Sequence, residues 1–341
     1  MIEPVDEIWG DLLPSGYFDG TTEAFSQRPG GSDPKARTDE MDTDRVSAEV
    51  LYPSLAMKLF SLEDPDLQAA AFRCYNEWLA QYCAASPDRL FGIGLLPTYD
   101  VERSLEELQF FSAAGMRGAM IWQVPPAHLP FNGSHYDPIW EACADLGMPV
   151  SLHINTGFGY MTDVMRQGNT LFSNGELLFR FAINQKVLAM MDALTSLTIS
   201  GALDRFRKLK LVIVENEASW LPFFVDQLDY YYRRFDGSRG EGAVAIALDR
   251  LPSEVFKSQV FVTFFRDPYA GFVATSFEAG NLMWSSDYPH GNSTWPESQK
   301  VIQDRLGNLP EALIEKTVWS NVVTLYDIDG AAVLATQNRI A

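Results

Sequence analysis

The stretch Asn281-Leu-Met-Trp-Ser-Ser-Asp287-Tyr-Pro-His290 combines a short apolar run with a turn that carries three reactive side chains. The run from Leu282 to Trp284 is typical of a buried strand, and two serines end it. Ligands bind at the carboxyl ends of strands in α/β proteins, so a carboxylate here can bind a metal ion or transfer a proton. Ser-Asp before Tyr-Pro is also ordinary turn chemistry, in which Asp287 only caps the turn and His290 is a surface residue.

Upstream of this stretch, short apolar runs alternate with segments that show helical spacing of apolar residues. The predicted strands are Ala48–Tyr52, Leu90–Leu96, Arg117–Ile121, Met148–Ile154, Leu209–Val214, Val260–Phe265 and Leu282–Ser285. The predicted helices are Asp66–Ala84, Val101–Ala114, Tyr136–Leu146, about Gly175–Phe206, Trp220–Arg234, Gly271–Ala279, Glu297–Leu306 and Glu311–Ser320. Continuous apolar strands that alternate with helices indicate a parallel sheet covered on both faces.

Repeated βα units with right-handed crossovers give either a doubly wound sheet or a (β/α)₈ barrel. The first strand is not followed by GxGxxG, so a dinucleotide-binding fold lacks its usual signature. We therefore predict an α/β fold of the TIM-barrel type, with one domain over residues 1–341. Residues 1–45 are predicted to be an irregular segment with a loop at Gln27–Pro34, and no convincing eighth strand precedes Ala48.

The composition restricts the partners of the protein. The 341 residues are 47% hydrophobic, which supplies a substantial core, and the net charge is −19. So acidic a chain argues against binding to nucleic acid or to an anionic membrane surface, but a small-molecule substrate is compatible with it. The three cysteines form no CxxC pair, and no apolar run approaches the length of a membrane span, so we expect a cytoplasmic protein with reduced thiols.

Three predicted strands end in residues that can bind a metal ion. His153 ends one strand, Glu215 follows another in Val-Ile-Val-Glu, and Asp287 follows a third. Imidazole and carboxylate groups at one rim are typical of Zn²⁺ or Mn²⁺ sites. The structural alternatives are a core histidine hydrogen-bonded to the backbone, and a glutamate that caps the helix starting near Ser219. The three residues together favour the metal site.

Several motifs run along nearly the whole chain. They are Ile2–Trp9, Pro87–Leu90, Gly115–Gly118, Leu152-His153, Val214-Glu215, Trp220–Pro222, Trp284–His290, Ser293–Pro296 and Asn321–Tyr326. Because it contains these motifs in this order, the chain resembles the amidohydrolase-related family (amidohydrolase 2). This family includes the aminocarboxymuconate-semialdehyde and γ-resorcylate decarboxylases. The resemblance implies a distorted (β/α)₈ barrel with a divalent metal at its carboxyl-end rim.

The resemblance also implies roles for the rim residues and shows two departures. His153 corresponds to the strand-5 ligand and Asp287 to the strand-8 ligand. Glu215 falls where characterised decarboxylases have a catalytic histidine. The family's first strand carries Asp-x-His or His-x-His just before a Glu-Pro box, and here Glu3-Pro4 follows Met1 almost directly. Either the first-strand ligands lie upstream of Met1, which we favour, or the metal site is incomplete.

The function implied is metal-dependent decarboxylation of a small aromatic or unsaturated carboxylic acid, without a redox cofactor. His153, Glu215 and Asp287 are the expected ligands of Zn²⁺ or Mn²⁺, with Asp287 and Glu215 as the catalytic residues. One alternative is metal-dependent hydrolysis of an ester, amide or lactone, in which Glu215 activates water. Another is a barrel without catalysis that serves as a binding subunit.

Four further residues are expected to contact the substrate. Arg266, just past a predicted strand, is expected to pair with a substrate anion, although an ordinary salt bridge is an alternative. His290, Trp122 and Trp295 are expected to line the pocket, although aromatic residues at strand ends often serve packing. We expect the protein to form a homodimer.

Overall fold

Seven parallel strands form the framework of the protein. The computed structural model describes residues 28–157, 183, 185–235, 248–278 and 280–340. Within these residues the strands are β1 Glu49–Leu51, β2 Leu90–Leu95, β3 Gly118–Ile121, β4 Val150–His153, β5 Leu211–Val214, β6 Val260–Phe264 and β7 Leu282–Trp284. Each strand falls inside an apolar run predicted from the sequence, so all seven strand predictions are confirmed.

The strands pair in the order in which they occur along the chain, from β1 to β7, and every pair is parallel. A doubly wound sheet would reverse its strand order at a switch point, whereas a (β/α) barrel keeps sequential order. The predicted barrel-type α/β fold is therefore confirmed. Residues 1–27 lie outside the described part of the chain. The described residues form a sheet of seven strands.

Helices alternate with the strands along the chain. The α-helices are α1 Pro34–Asp44, α2 Pro65–Ala84, α3 Val101–Ala113, α4 Asp137–Leu146, α5 Met190–Ile199, α6 Ala202–Arg205, α7 Leu221–Phe235, α8 Pro252–Gln259, α9 Ala270–Ser276, α10 Ser298–Leu306, α11 Glu311–Glu315, α12 Asn321–Leu325 and α13 Gly330–Ile340. Short 3₁₀ helices lie at Pro29–Gly31, Leu55–Ser61 and Ser134–Tyr136, and π-helical turns at Gln185–Ala189 and Lys316–Ser320. None of the helices in the described ranges is both long and apolar enough to cross a membrane.

Helix α1 corrects the prediction that residues 1–45 are irregular. The Asp33 side chain caps the helix, because its carboxylate accepts hydrogen bonds from the backbone N–H of Lys35 (2.9 Å) and Ala36 (3.4 Å). Pro34 occupies the first helical position, where its fixed φ favours the helix and no N–H is needed. Ser-Asp-Pro, interpreted as loop chemistry, is thus a helix start.

The long helical region predicted between residues 175 and 206 is divided where the structure describes it. A π-helical turn at Gln185–Ala189 leads into α5, and α6 follows after a break. The break lies at Gly201, which has a φ of 74°, a value that glycine adopts without strain. The part of the prediction before residue 183 falls outside the described residues.

The central strands are fixed by core packing. Every residue of β2, β3, β4 and β5 is buried, and most of these residues are apolar. Burying a Leu, Ile or Val side chain contributes roughly 1.5–3 kcal/mol to the stability of the fold. A shift in strand register would expose several of these side chains at once, so it would be strongly destabilising. The side chains at the carboxyl ends of these strands therefore have well-defined positions.

Candidate metal centre and active site

The three residues predicted at strand ends lie at the same edge of the sheet. His153 is the last residue of β4, Glu215 directly follows β5, and Asp287 lies three residues after β7. In the β4–β5 register, His153 is opposite Val214, which brings Glu215 next to the imidazole. The sequence prediction that these side chains share one rim agrees with their positions in the fold.

Glu215, Asp287 and His290 lie close enough together to bind one ion. One ligand atom each from Glu215, Asp287 and His290 lies within 4.8 Å of the other two. The His153 Nε2 atom is 3.2 Å from the Glu215 Oε1 atom. Glu215 thus connects His153 with the other two residues, and the site contains two imidazoles and two carboxylates.

The hydrogen bond of His153 fixes which of its nitrogens carries a proton. Nδ1 lies 2.8 Å from the carbonyl oxygen of Ile154, which can only accept, so Nδ1 is the donor. In a neutral imidazole, Nε2 then presents its lone pair toward the Glu215 carboxylate. Two lone pairs at 3.2 Å require a cation to offset their repulsion, either a proton on Nε2 or a metal ion. The donor set therefore fits a divalent cation.

The electrostatics of the site keep Glu215 ionised. Burial alone would raise the pKa of Glu215, but the charge and hydrogen bond of His153, the charge of His290 and a hydrogen bond with Asp287 together lower this pKa to about 2. Among the contributions that lower this pKa, the charge of His153 is the largest, so the imidazole–carboxylate contact dominates the electrostatics of the site.

The surroundings of the second imidazole disfavour its charged form. Burial lowers the pKa of His290 from its usual value, and the nearby His153 and Arg28 act in the same direction. Glu215 opposes this shift without reversing it. A neutral imidazole keeps a lone pair for a metal ion or for a hydrogen bond from a substrate.

Left-handed backbone conformations aim the two carboxylates. Glu215 has a φ of 62° and Asp287 a φ of 59°, values that cost non-glycine residues about 1 kcal/mol or more. The turn after Glu215 is held by Asp267, whose carboxylate accepts hydrogen bonds from the backbone N–H groups of Ala218 and Ser219. These bonds offset the backbone strain, which is typical of a turn that presents functional side chains.

A cavity opens beside the carboxylates. Its volume is about 1570 Å³, and it extends from the rim along β1 and β7. Its described lining includes Glu215, Asp287 and His290 together with Arg28, Tyr52 and Trp284. The cavity thus places aromatic surface and the Arg28 guanidinium close to the proposed ligands.

Of the four residues predicted to contact substrate, His290 lines this cavity, and the other three lie elsewhere. Trp122 is fully buried, and its indole N–H donates to the Tyr136 hydroxyl at 3.0 Å. The Trp295 N–H donates to the backbone carbonyl of Glu40 at 3.0 Å. These two tryptophans therefore pack and hold neighbouring segments, and a contact of either with substrate stays a prediction.

Arg266 is exposed to solvent, and its guanidinium also contacts the protein. Its guanidinium donates to the carbonyl oxygens of Asn292 (3.0 Å) and Ser293 (2.7 Å), in the loop after Asp287. In this position it supports that loop, and its assignment as a partner for a substrate anion stays a prediction. Spacing along the chain could not reveal this, because the two carbonyls follow Arg266 by 26 and 27 positions.

Two cavity residues were not identified from the sequence. Arg28 lies in a Pro- and Gly-rich segment without periodicity, and Tyr52 follows a strand as one of many aromatic residues. The Tyr52 hydroxyl lies 2.9 Å from the Ser151 hydroxyl and 2.8 Å from the Tyr326 hydroxyl. These groups come together only in the folded chain, so no local sequence pattern identifies them as site residues.

Comparison with known proteins agrees with this geometry. A family model described as amidohydrolase (Amidohydro_2) matches residues 23–328. The chain belongs to this amidohydrolase family. The resemblance inferred from the motifs is therefore confirmed.

One curated relative of the chain is a decarboxylase. It is 2-amino-3-carboxymuconate-6-semialdehyde decarboxylase of Dictyostelium discoideum, which is 30% identical over 127 residues. The match covers 36% of this chain and 33% of the relative, so it spans about a third of the relative's length.

Solved structures of similar fold include two decarboxylases with bound manganese. Dihydroxybenzoic acid decarboxylase from Polaromonas sp. JS666, with manganese and 2-nitroresorcinol, has a TM-score of 0.75 and 18% identity, covering 98% of this chain and 96% of that one. The 5-carboxyvanillate decarboxylase from Novosphingobium aromaticivorans, with manganese and 4-hydroxy-3-methoxy-5-nitrobenzoic acid, has a TM-score of 0.73 and 21% identity, covering 95% and 88%. At these identities the likeness concerns the fold, and it confirms the TIM-barrel type.

Proposed function

We propose that this member of the amidohydrolase family is a divalent-metal-dependent carboxy-lyase, which removes CO₂ from a small aromatic or unsaturated carboxylic acid. The observation that carries the proposal is the cluster of two imidazoles and two carboxylates at the carboxyl-end rim, where Glu215, Asp287 and His290 lie within 4.8 Å of one another. The decarboxylase relative and the manganese-containing decarboxylases of the same fold support it.

His153, Glu215, Asp287 and His290 are the residues that would hold the ion. Bound there, a divalent ion would supply a positive charge for the substrate carboxylate and a neighbouring oxygen. Mn²⁺ is the first ion to test, because both manganese-containing structures belong to decarboxylases. Zn²⁺ is the second, since imidazole and carboxylate are also its ligands.

The side chains of the protein account for the proton that the reaction requires. Asp287, on the cavity wall, would pass a proton from the substrate side of the site to the carbon that bears the carboxylate. The bond between that carbon and the carboxylate then breaks, CO₂ leaves, and the electron pair stays on the carbon skeleton. Glu215 remains ionised throughout and keeps Asp287 oriented.

The proposal is tested by measuring CO₂ released by the Mn²⁺-loaded protein from a panel of hydroxylated benzoic acids and unsaturated dicarboxylic acids. We expect release from at least one acid, lost after removal of the metal with a chelator and restored by Mn²⁺. The Asp287→Asn variant should release at least about 100-fold less CO₂, because the amide cannot donate the proton in the same way. Absence of CO₂ release across the panel by the metal-loaded wild type would contradict the proposal.

A second candidate is metal-dependent hydrolysis of an ester, amide or lactone. It is favoured by one observation, the Glu215 carboxylate on the cavity wall, which can orient an attacking water molecule by accepting a hydrogen bond from it. Reaction in water labelled with ¹⁸O separates the two candidates. A hydrolase incorporates the label into its product, whereas a carboxy-lyase adds only a proton to the carbon skeleton. The expected homodimer and the single domain stay predictions.

A further inference from the structure

The segment before β1 packs against the loop that carries Asp287 and His290. The Arg28 guanidinium donates to the carbonyl oxygen of His290 (2.9 Å) and to the Ser293 hydroxyl (2.7 Å). From the other end of α1, the Asp44 carboxylate accepts a hydrogen bond from the backbone N–H of Ser298 at 2.9 Å. The loop is therefore held on one side by residues about 250 positions earlier in the chain.

Glu40 contacts the residue that lies next to Asp287 in the loop. Its Oε2 atom accepts a hydrogen bond from the hydroxyl of Tyr288, the residue next to Asp287. The same oxygen accepts a second hydrogen bond from the backbone N–H of Gly30, at 3.1 Å. The Tyr288 ring is covered by the Arg37 guanidinium, 4.3 Å from the ring centre, and its side chain is almost fully buried. Two donors and a stacked cation thus fix both ends of the Glu40–Tyr288 contact.

Gly30 is the residue that permits this contact. A Cβ atom at position 30 would lie 2.0 Å from Glu40 Oε2 and 2.9 Å from the Tyr288 hydroxyl oxygen, so an alanine would displace the carboxylate. At the neighbouring Gly31 a Cβ atom would have its nearest contact at 3.7 Å, with Pro289, which is an ordinary van der Waals distance. Position 31 therefore has room for an alanine side chain, whereas position 30 does not.

We propose that Glu40 is a positioning residue for the metal centre. Through the Tyr288 hydroxyl it holds the turn from Asp287 to His290 in the geometry that allows both side chains to reach one ion. The inference rests on the proposed metal-dependent function, which it extends to a residue outside the ligand set.

The effect of such a contact on metal affinity has a known range. Asp287 occupies a left-handed conformation, and the His290 N–H donates to the Asp287 carbonyl at 3.0 Å to close the turn. Relaxation of the turn would move both ligands together, away from Glu215. Partners that orient metal ligands typically change metal affinity 10- to 100-fold when they are removed.

The test compares the wild type with four full-length variants, Gly30→Ala, Gly31→Ala, Glu40→Ala and Glu40→Gln. The Mn²⁺ dissociation constant is measured by equilibrium dialysis with detection of free Mn²⁺ by electron paramagnetic resonance. We expect Gly30→Ala and Glu40→Ala to weaken Mn²⁺ binding about 10- to 100-fold, and Gly31→Ala to stay within about twofold of the wild type. Glu40→Gln retains an acceptor oxygen for Tyr288, so it should restore most of the affinity lost in Glu40→Ala.

A second readout needs no metal. Hydrogen exchange of the His290 and Thr294 amides, both hydrogen-bonded within the loop, should accelerate about tenfold in Gly30→Ala and Glu40→Ala and not in Gly31→Ala. Unchanged exchange in both variants would overturn the proposal, as would faster exchange without any loss of Mn²⁺ affinity. Failure of the wild type to bind Mn²⁺ would instead refute the proposed function, and the exchange rates alone would then decide whether Glu40 fixes the turn.

Discussion

Replacing Glu215 by glutamine removes the negative charge that lies 3.2 Å from the His153 imidazole. With His153 protonated, the Coulomb attraction across this distance is about 5 kcal/mol at an effective dielectric constant of about 20. Desolvation of the two groups offsets part of the attraction, but leaving one buried charge without its partner costs about 3 kcal/mol or more. We therefore expect Glu215→Gln to lower the free energy of unfolding of the metal-free protein by about 3 kcal/mol at pH 6.

The pH dependence of this loss follows from the sign of the pKa shift. Burial raises the pKa of Glu215, but His153, His290 and Asp287 lower it from 4.5 to about 2 in the folded protein. Because the folded-state pKa is below the unfolded one, the carboxylate stabilises the fold above about pH 4.5, and its contribution disappears as the pH falls toward 2. The difference between wild type and variant should therefore be largest above pH 5 and shrink at lower pH.

Urea unfolding followed by tryptophan fluorescence measures this difference. Glu217→Gln is the matched control, because the Glu217 side chain accepts a hydrogen bond from the Phe265 N–H at 3.2 Å and an amide oxygen can replace it. We expect the control to lose less than about 1 kcal/mol. If Glu215→Gln were as stable as the wild type at pH 6, the electrostatic account of the site would be wrong.

Three further predictions concern the site and its surroundings. His153→Ala and Asp287→Asn should each reduce turnover at least about 100-fold while the circular dichroism spectrum stays unchanged, and full activity in either would remove that residue from the site. In the metal-free protein, His290 should gain its proton only at a pH below its usual pKa of 6.5, because burial disfavours the charged imidazole; an NMR titration of its ring protons would show a midpoint near 6.5 if the imidazole were unperturbed. Trp122→Phe should lower the free energy of unfolding, measured by urea denaturation, by about 1–3 kcal/mol, because the hydrogen bond to Tyr136 is lost. The KM should stay unchanged, and a raised KM would place Trp122 in the pocket.

The framework of the fold was accessible from the sequence because its signals are local. Each strand is a short apolar run between helical segments, and the carboxyl ends of parallel strands meet at one edge whatever the details of packing. His153 and Glu215 could therefore be placed together before the fold was known. The Ser-Asp-Tyr-Pro-His motif then added Asp287 and, beside it, His290.

The surroundings of the site were not accessible, because they depend on contacts between distant segments. Arg28 and Glu40 reach the Asp287 loop from more than 240 positions away, and only the packing of α1 brings them there. Trp122 illustrates a second limit, since a tryptophan at a strand end suits a pocket and a core equally well. Burial decides between the two, and burial is a property of the folded chain.

The most direct test of the carboxy-lyase assignment is the mass spectrum of the product that the Mn²⁺-loaded protein forms in ¹⁸O-labelled D₂O. For a carboxy-lyase we expect a product that has lost CO₂ and gained one deuterium at the carbon that carried the carboxylate, with no ¹⁸O. A product that keeps every carbon atom of the scissile group and carries ¹⁸O would contradict the carboxy-lyase assignment and identify a hydrolase.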